Sequence, residues 1–165
     1  MNIDTLKRFL TFLLLALLQV LVFNRIQLFH CATPLVFIYF VIMFPRNHPK
    51  WSILLWSFAM GFVIDMFTNT PGVACASLTL AAAIQPYLLE LFVPRDAEEN
   101  MHVSAYVMGW GKFNTFTTLM VMIFCLTFFT LEAFNFFNWL HWLLCVVGST
   151  LLTIVLIMAL DTIRK

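Results

Sequence analysis

The chain alternates between long apolar runs and short polar breaks, and this pattern predicts a bundle of membrane helices. A helix that crosses a hydrocarbon core needs about 20 mostly apolar residues. Because lipid offers no partner for backbone N–H and C=O groups, each run should be helical rather than part of an open sheet. We expect six spans in one bundle, at residues 6–23, 34–44, 51–67, 72–92, 113–134 and 139–163.

The second of these runs is the shortest. Thr33 and Pro34 together form a helix start signal, with a hydroxyl cap followed by proline at the first helical position. Residues 26–32 either extend this helix or form an irregular entry to it.

Composition supports a membrane protein. Of 165 residues, 62% are hydrophobic and 10% are charged, whereas soluble domains have about a quarter of their residues charged. So short a chain has no soluble core large enough to bury that much apolar surface. The sequence therefore predicts an all-α polytopic membrane protein, with residues 1–165 as a single transmembrane domain whose surroundings are the lipid bilayer.

Lysine and arginine predict the orientation. With six spans, only Arg25 falls on the side opposite the termini, and positive charge favours the cytoplasmic side. Both termini are therefore expected in the cytoplasm. The net charge of +1 gives no case for a nucleic-acid partner. The cations predicted on the side of the termini are Lys7, Arg8, Arg46, Lys50, Arg95, Lys112, Arg164 and Lys165.

The sequence carries none of the common catalytic or metal-binding motifs. It has no GxSxG, HExxH or phosphate-binding glycine loop. The four cysteines are scattered singly, with no CxxC pair and no histidine at metal spacing. We therefore expect a protein that is not an enzyme and that needs neither a metal nor a cofactor.

Asp65 is the unusual residue of the third span. If that helix begins near Trp51, Asp65 lies about 21 Å into the bilayer, at a rise of about 1.5 Å per residue. A carboxylate there costs about 2.5–3.5 kcal/mol on insertion scales. Our hypothesis is an ion pair with Arg25, and the alternative is a protonated or water-solvated carboxyl group. A ligand or partner site and an internal structural contact are equally compatible with the pattern.

The segment after Asp65 predicts a tight helical hairpin. Asn69, Thr70, Pro71 and Gly72 are turn formers, and they leave no room for a domain between the third and fourth spans. The fourth span begins with small residues, which allow helix backbones to approach closely. We therefore expect the fourth helix to be central in the bundle.

A resemblance to a known family rests on this region. Phe44-Pro45-Arg46 after a short second span, Gly61-x-x-x-Asp65, a polar turn with Gly72, and a small-residue helix that closes near Tyr87-Leu88 resemble the rod shape-determining protein MreD family. The match covers about residues 34–89. Thr70-Pro71 departs from the Pro-Leu-Gly type of turn that the family more often has.

The resemblance implies an interaction protein. MreD-like proteins sit in the bacterial inner membrane and belong to the cell-elongation machinery, the elongasome, which regulates cell shape. A single-span MreC would be the direct partner, and the MreB filament and the peptidoglycan synthases would be indirect ones. The family's fold is similar to the membrane S component of energy-coupling-factor transporters. The alternative is therefore a small-solute-binding transporter subunit, in which Asp65 binds a cationic or polar group of the solute.

Overall fold

The computed structural model describes residues 3–22, 33–46, 48–93, 103, 105–133 and 139–163. Over these residues the chain is helical and contains no strand, which confirms the all-α class. The helices are α1 (Ile3–Leu21), α2 (Ile38–Ile42), α3 (Lys50–Thr68), α4 (Val73–Phe92), α5 (Ala105–Met108), α6 (Trp110–Glu132) and α7 (Trp139–Ile163).

Four of the described helices, α3, α4, α6 and α7, are long and apolar enough to cross a membrane. They coincide closely with the third to sixth predicted spans, and the polypeptide is accordingly a membrane protein. Helix α1 has 19 residues and carries Asp4, Lys7 and Arg8 in its first turns. Its leucines face outward along much of its length, as Leu10 and Leu14 illustrate. A count of six spans stays a prediction.

The segment 34–44 differs from the expected spanning helix. Its only regular part is α2, which is five residues long. Residues 33–35 are not helical, and residues 36–37 form a turn. Residues 35–42 are all buried, from Leu35 at 4% exposure to Ile42 at 0%. The expectation of a regular helix from Pro34 is therefore corrected, because this segment lies inside the bundle rather than against lipid.

Helix α2 is buried inside the bundle. It contacts α1, α3, α4 and α6. Phe37 meets Phe124 of α6 edge to face, with ring centroids 5.3 Å apart, and Phe40 meets Phe12 of α1 at 5.7 Å. Helix α4, which we expected to be central, makes the most extensive contacts among the described helices, on α3, α6 and α2, in agreement with that expectation.

Candidate functional site

The carboxylate of Asp65 lies against the N-terminus of the next helix. The backbone N–H of Ala74 donates to Oδ1 of Asp65 at 2.9 Å, and the N–H of Cys75 donates to Oδ2 at 2.9 Å. The hydroxyl of Thr70 adds a third hydrogen bond to Oδ1, at 3.1 Å. Asp65 is only 7% exposed. Both of its oxygens are therefore engaged inside the protein.

This arrangement replaces an ordinary helix cap. The residue before α4 is Gly72, which has no side chain to accept hydrogen bonds from the first turn. Asp65 of α3 takes that role across the hairpin, at the second and third residues of α4. The positive end of the α4 dipole also favours a negative charge at this point. The N-terminus of α4 thus offsets the unfavourable free energy of desolvating the buried carboxylate of Asp65.

Gly61 lies one turn before Asp65 and allows this contact to form. A Cβ atom at Gly61 would lie 2.5 Å from Cα of Cys75, 2.8 Å from the carbonyl oxygen of Ala74 and 2.8 Å from the nitrogen of Cys75. These are backbone atoms, so no side chain can rotate away to make room. Only glycine lets α4 approach α3 closely enough for Asp65 to reach the N–H groups of its first turn.

The turn between the two helices has the backbone that its residues favour. Asn69 ends α3 in the left-handed region at φ 57°, which asparagine tolerates better than most residues. Gly72 has φ 85°, where glycine carries no Cβ penalty. Pro71 lies between them and is exposed. The structure thus brings Gly61, Asp65 and Gly72 together at one junction, with Pro71 beside it.

Arg25, the predicted ion-pair partner of Asp65, lies outside the described residues. The Arg25–Asp65 pair therefore stays a prediction. In the described part of the chain, the groups that contact the carboxylate are backbone N–H groups and a threonine hydroxyl.

A second polar site, which the sequence analysis missed, holds the non-helical entry to α2. Gln19 of α1 donates from Nε2 to the carbonyl of Pro34 at 3.0 Å and accepts at Oε1 from the N–H of Val36 at 3.1 Å. Its side chain is 3% exposed. Non-helical backbone at membrane depth is tolerated where protein groups satisfy it. Gln19 is the single side-chain amide in the apolar run of α1, and this was the sequence feature that could have indicated the site.

Side chains of α7 also accept hydrogen bonds from the backbone of this segment. The N–H of Thr33 donates to Oγ of Ser149 at 3.2 Å, and the N–H of Leu35 donates to Oγ1 of Thr153 at 3.1 Å. Ser149 and Thr153 are four residues apart and share one helix face. Both are fully buried. These two hydroxyl groups therefore bind irregular backbone rather than their own helix.

The opposite end of this segment is also fixed by polar contacts. The hydroxyl of Tyr39 donates to Oδ1 of Asp161 of α7 at 3.2 Å. Nε2 of Gln85 of α4 donates to the carbonyl of Phe44 at 3.3 Å. The guanidinium carbon of Arg8 lies 5.6 Å from the ring centroid of Phe44. Residues 33–44 are therefore anchored at both ends.

His48 lies in the connection between α2 and α3. Its ring meets that of Phe44 edge to face, with centroids 5.2 Å apart. Partial burial, and secondly the positive charge of Arg8, lower the pKa of His48 from its usual value. The neutral imidazole is thus the form that this connection favours.

Within the described ranges, no group of three or more His, Cys, Asp and Glu side chains is arranged to hold a metal ion. The described cysteines, Cys75, Cys125 and Cys145, are buried thiols that are not joined to one another. Cys31 lies outside the described residues.

Comparison with protein-family models, with curated proteins and with solved structures finds no match. The chain is therefore placed by its own geometry, as an all-helical membrane protein with a capped α3–α4 hairpin.

Proposed function

We propose that this chain is a non-enzymatic component of the bacterial cell-elongation machinery, similar to MreD. In this role it lies in the cytoplasmic membrane and binds an MreC-like single-span protein. It thereby helps to position lateral peptidoglycan synthesis, with the MreB filament and the synthases as indirect partners.

One observation carries the proposal. Gly61, Asp65 and Gly72, on which the family resemblance depends, converge on one contact between α3 and α4. Each has a distinct physical reason to be there: close approach, capping, and a positive φ. Their proximity follows from the hairpin itself, so what supports the resemblance is that each of the three residues has a physical role at this junction.

The distribution of charge supports the proposed orientation. Lys7, Lys50 and Lys112 lie near the first residues of α1, α3 and α6. With helices that alternate in direction, these ends share one side of the bundle, which the positive-inside rule assigns to the cytoplasm. Helix α7 ends on that side at Ile163. Both termini are accordingly proposed to be cytoplasmic.

The transporter alternative uses Asp65 differently. A solute-binding carboxylate must offer an oxygen to its ligand. Asp65 is 7% exposed and already accepts hydrogen bonds from Thr70, Ala74 and Cys75, so about one of the roughly four acceptor sites of its carboxylate remains for a solute. This geometry favours a structural role for Asp65, which weakens the transporter alternative.

The experiment is a co-purification of the tagged full chain from its own cells in a mild detergent. We expect stoichiometric recovery of an MreC-like single-span protein. Asp65→Ala should reduce that recovery, because the hairpin loses its cap, whereas Glu90→Ala removes an exposed carboxylate of α4 and should leave it unchanged. Recovery of a transporter ATPase module or a bound small solute, without an MreC-like protein, would overturn the proposal.

A further inference from the structure

An elongated apolar groove runs along the outward face of the α3–α4 hairpin. Its volume is about 860 Å³. Phe58, Phe62 and Met66, at successive turns of α3, form one wall, and Ala76 and Ala83 of α4 lie on its floor. The three wall residues are 52%, 53% and 70% exposed, in that order. Because both helices are long and apolar enough to span a membrane, the groove opens toward lipid.

The groove is longer than one leaflet and extends past the middle of the bilayer. From Leu54 to Met66, both of which line it, is a distance of about 18 Å at the helical rise. Half of a hydrocarbon core is about 15 Å, whereas a crossing helix needs about 30 Å. The hairpin turn at Pro71 and Gly72 closes the far end. The part of the groove nearer the start of α3, from Leu54 to Phe62, is about 12 Å long at the helical rise and fits the acyl chain of a lipid in the adjacent leaflet. Asp65 is among the lining residues toward the far end.

The positively charged side chain of Lys50 lies beyond the other end of the groove. Lys50 lies one turn before Leu54, and Tyr87 lies one turn after Ala83, so both continue the lined faces. Nζ of Lys50 lies 4.4 Å from the ring centroid of Tyr87. This contact with the aromatic ring positions the ammonium group. The first turn of α3 also has no side-chain cap, and its dipole adds positive potential there.

We propose that this groove binds an anionic glycerophospholipid. One acyl chain lies along Phe58 and Phe62 over the small residues of α4, and the headgroup phosphate accepts hydrogen bonds from the ammonium group of Lys50. Clusters of basic side chains at the membrane surface attract anionic headgroups in this way. The lipid belongs to the leaflet on the basic side of the bundle. This site is independent of the proposed role in cell elongation.

The headgroup is tested by native mass spectrometry of the full chain in mild detergent. Phosphatidylglycerol and phosphatidylcholine with identical acyl chains are added in equal amounts. We expect phosphatidylglycerol to be retained about fivefold more, as one lysine near the surface provides. Lys50→Gln should abolish this preference and Lys50→Arg should keep it. Lys112→Gln, which removes an exposed lysine of α6, should leave it unchanged.

The chain position is tested by crosslinking. Phosphatidylglycerol with a photoactivatable acyl chain should label the groove-lining residues of α3 and α4. Ala83→Phe should reduce that labelling several-fold, since Ala83 is exposed and the larger side chain fills the floor. Ala83→Leu is the milder variant, and the melting temperature of each is measured alongside.

Three results would overturn the proposal. The first is equal retention of the two lipids by the unmodified chain. The second is labelling spread evenly over α6 and α7. The third is a second copy or a single-span partner that stays bound to the chain in the native mass spectrum and is released by Ala83→Phe, which would show a helix in the groove.

Discussion

Asp65 of α3 caps α4 by accepting the backbone N–H of Cys75 at 2.9 Å. A residue near the end of one helix thereby stabilises the start of the next. In an aqueous loop this would be one capping contact among many. In a membrane hairpin, Asp65 accepts hydrogen bonds from two buried N–H groups for which lipid offers no acceptor. Its contribution to the stability of the fold is correspondingly large.

Asp65→Ala should destabilise the protein by about 2 kcal/mol, the upper end of the range for loss of a helix cap, because the buried N–H groups of Ala74 and Cys75 lose their acceptor. Asp65→Asn keeps one acceptor oxygen and should lose about half as much. The melting temperature in detergent, followed by size-exclusion chromatography, measures both. Glu90→Ala is the matched control. Equal melting temperatures for Asp65→Ala and the unmodified chain would contradict the capping role.

Gly61→Ala should destabilise the protein by about 1–3 kcal/mol, the range for overpacked sites. The added Cβ would meet backbone atoms of α4 at 2.5–2.8 Å, so the two helices must separate and Asp65 loses its reach. Gly111→Ala is the control, because a Cβ at Gly111 meets nothing within 4 Å. That change should be neutral or slightly stabilising, as alanine favours a helix more than glycine does. Similar losses for both variants would refute the close-approach argument.

The spanning helices could be predicted from the sequence because their signal is simple. A run of apolar residues such as 139–163 has one stable form in lipid, and α7 has those bounds. The α3–α4 hairpin was predictable for a related reason, since Asn69 to Gly72 are turn formers between two such runs.

The segment 33–44 could not be predicted in the same way. Its apolar residues suit a lipid-facing helix and an irregular segment buried inside a bundle equally well. What distinguishes the two is whether Gln19, Ser149 and Thr153 reach its backbone, and those residues lie far away in sequence. The hydrogen-bond donors to Asp65 could not be predicted for a similar reason. They are the backbone N–H groups of Ala74 and Cys75, and backbone N–H groups are not marked by any residue type.

Thr153→Val should destabilise the protein by about 1–3 kcal/mol, because it preserves the shape of the side chain but leaves the N–H of Leu35 without its acceptor. Thr153→Ser keeps the hydroxyl and loses one methyl group, a change of about 0.8 kcal/mol. Thermal unfolding in detergent compares the two. If serine proved as harmful as valine, packing rather than the hydrogen bond would hold residues 33–36 in place.

His48 gives the protein a pH-dependent stability. Burial and the nearby Arg8 lower the pKa of His48 in the folded state below its usual value of about 6.5. The unfolded chain therefore takes up a proton at His48 more readily than the fold does. Stability should be fully present above pH 6.5 and should decrease as the pH falls through the lower folded-state pKa.

Melting temperatures measured between pH 5 and pH 7.5 test this dependence. His48→Gln cannot titrate and should flatten the profile on its acid side. Arg8→Gln removes the positive charge near His48, so the pKa of His48 should rise toward its usual value and the loss of stability at acid pH should become smaller. Arg8→Lys keeps the charge and should preserve the loss of stability at acid pH. The lysine variant matters most, because it separates charge from the packing of Arg8 against Phe44. If Arg8→Lys and Arg8→Gln gave the same profile, that packing rather than the positive charge would govern His48.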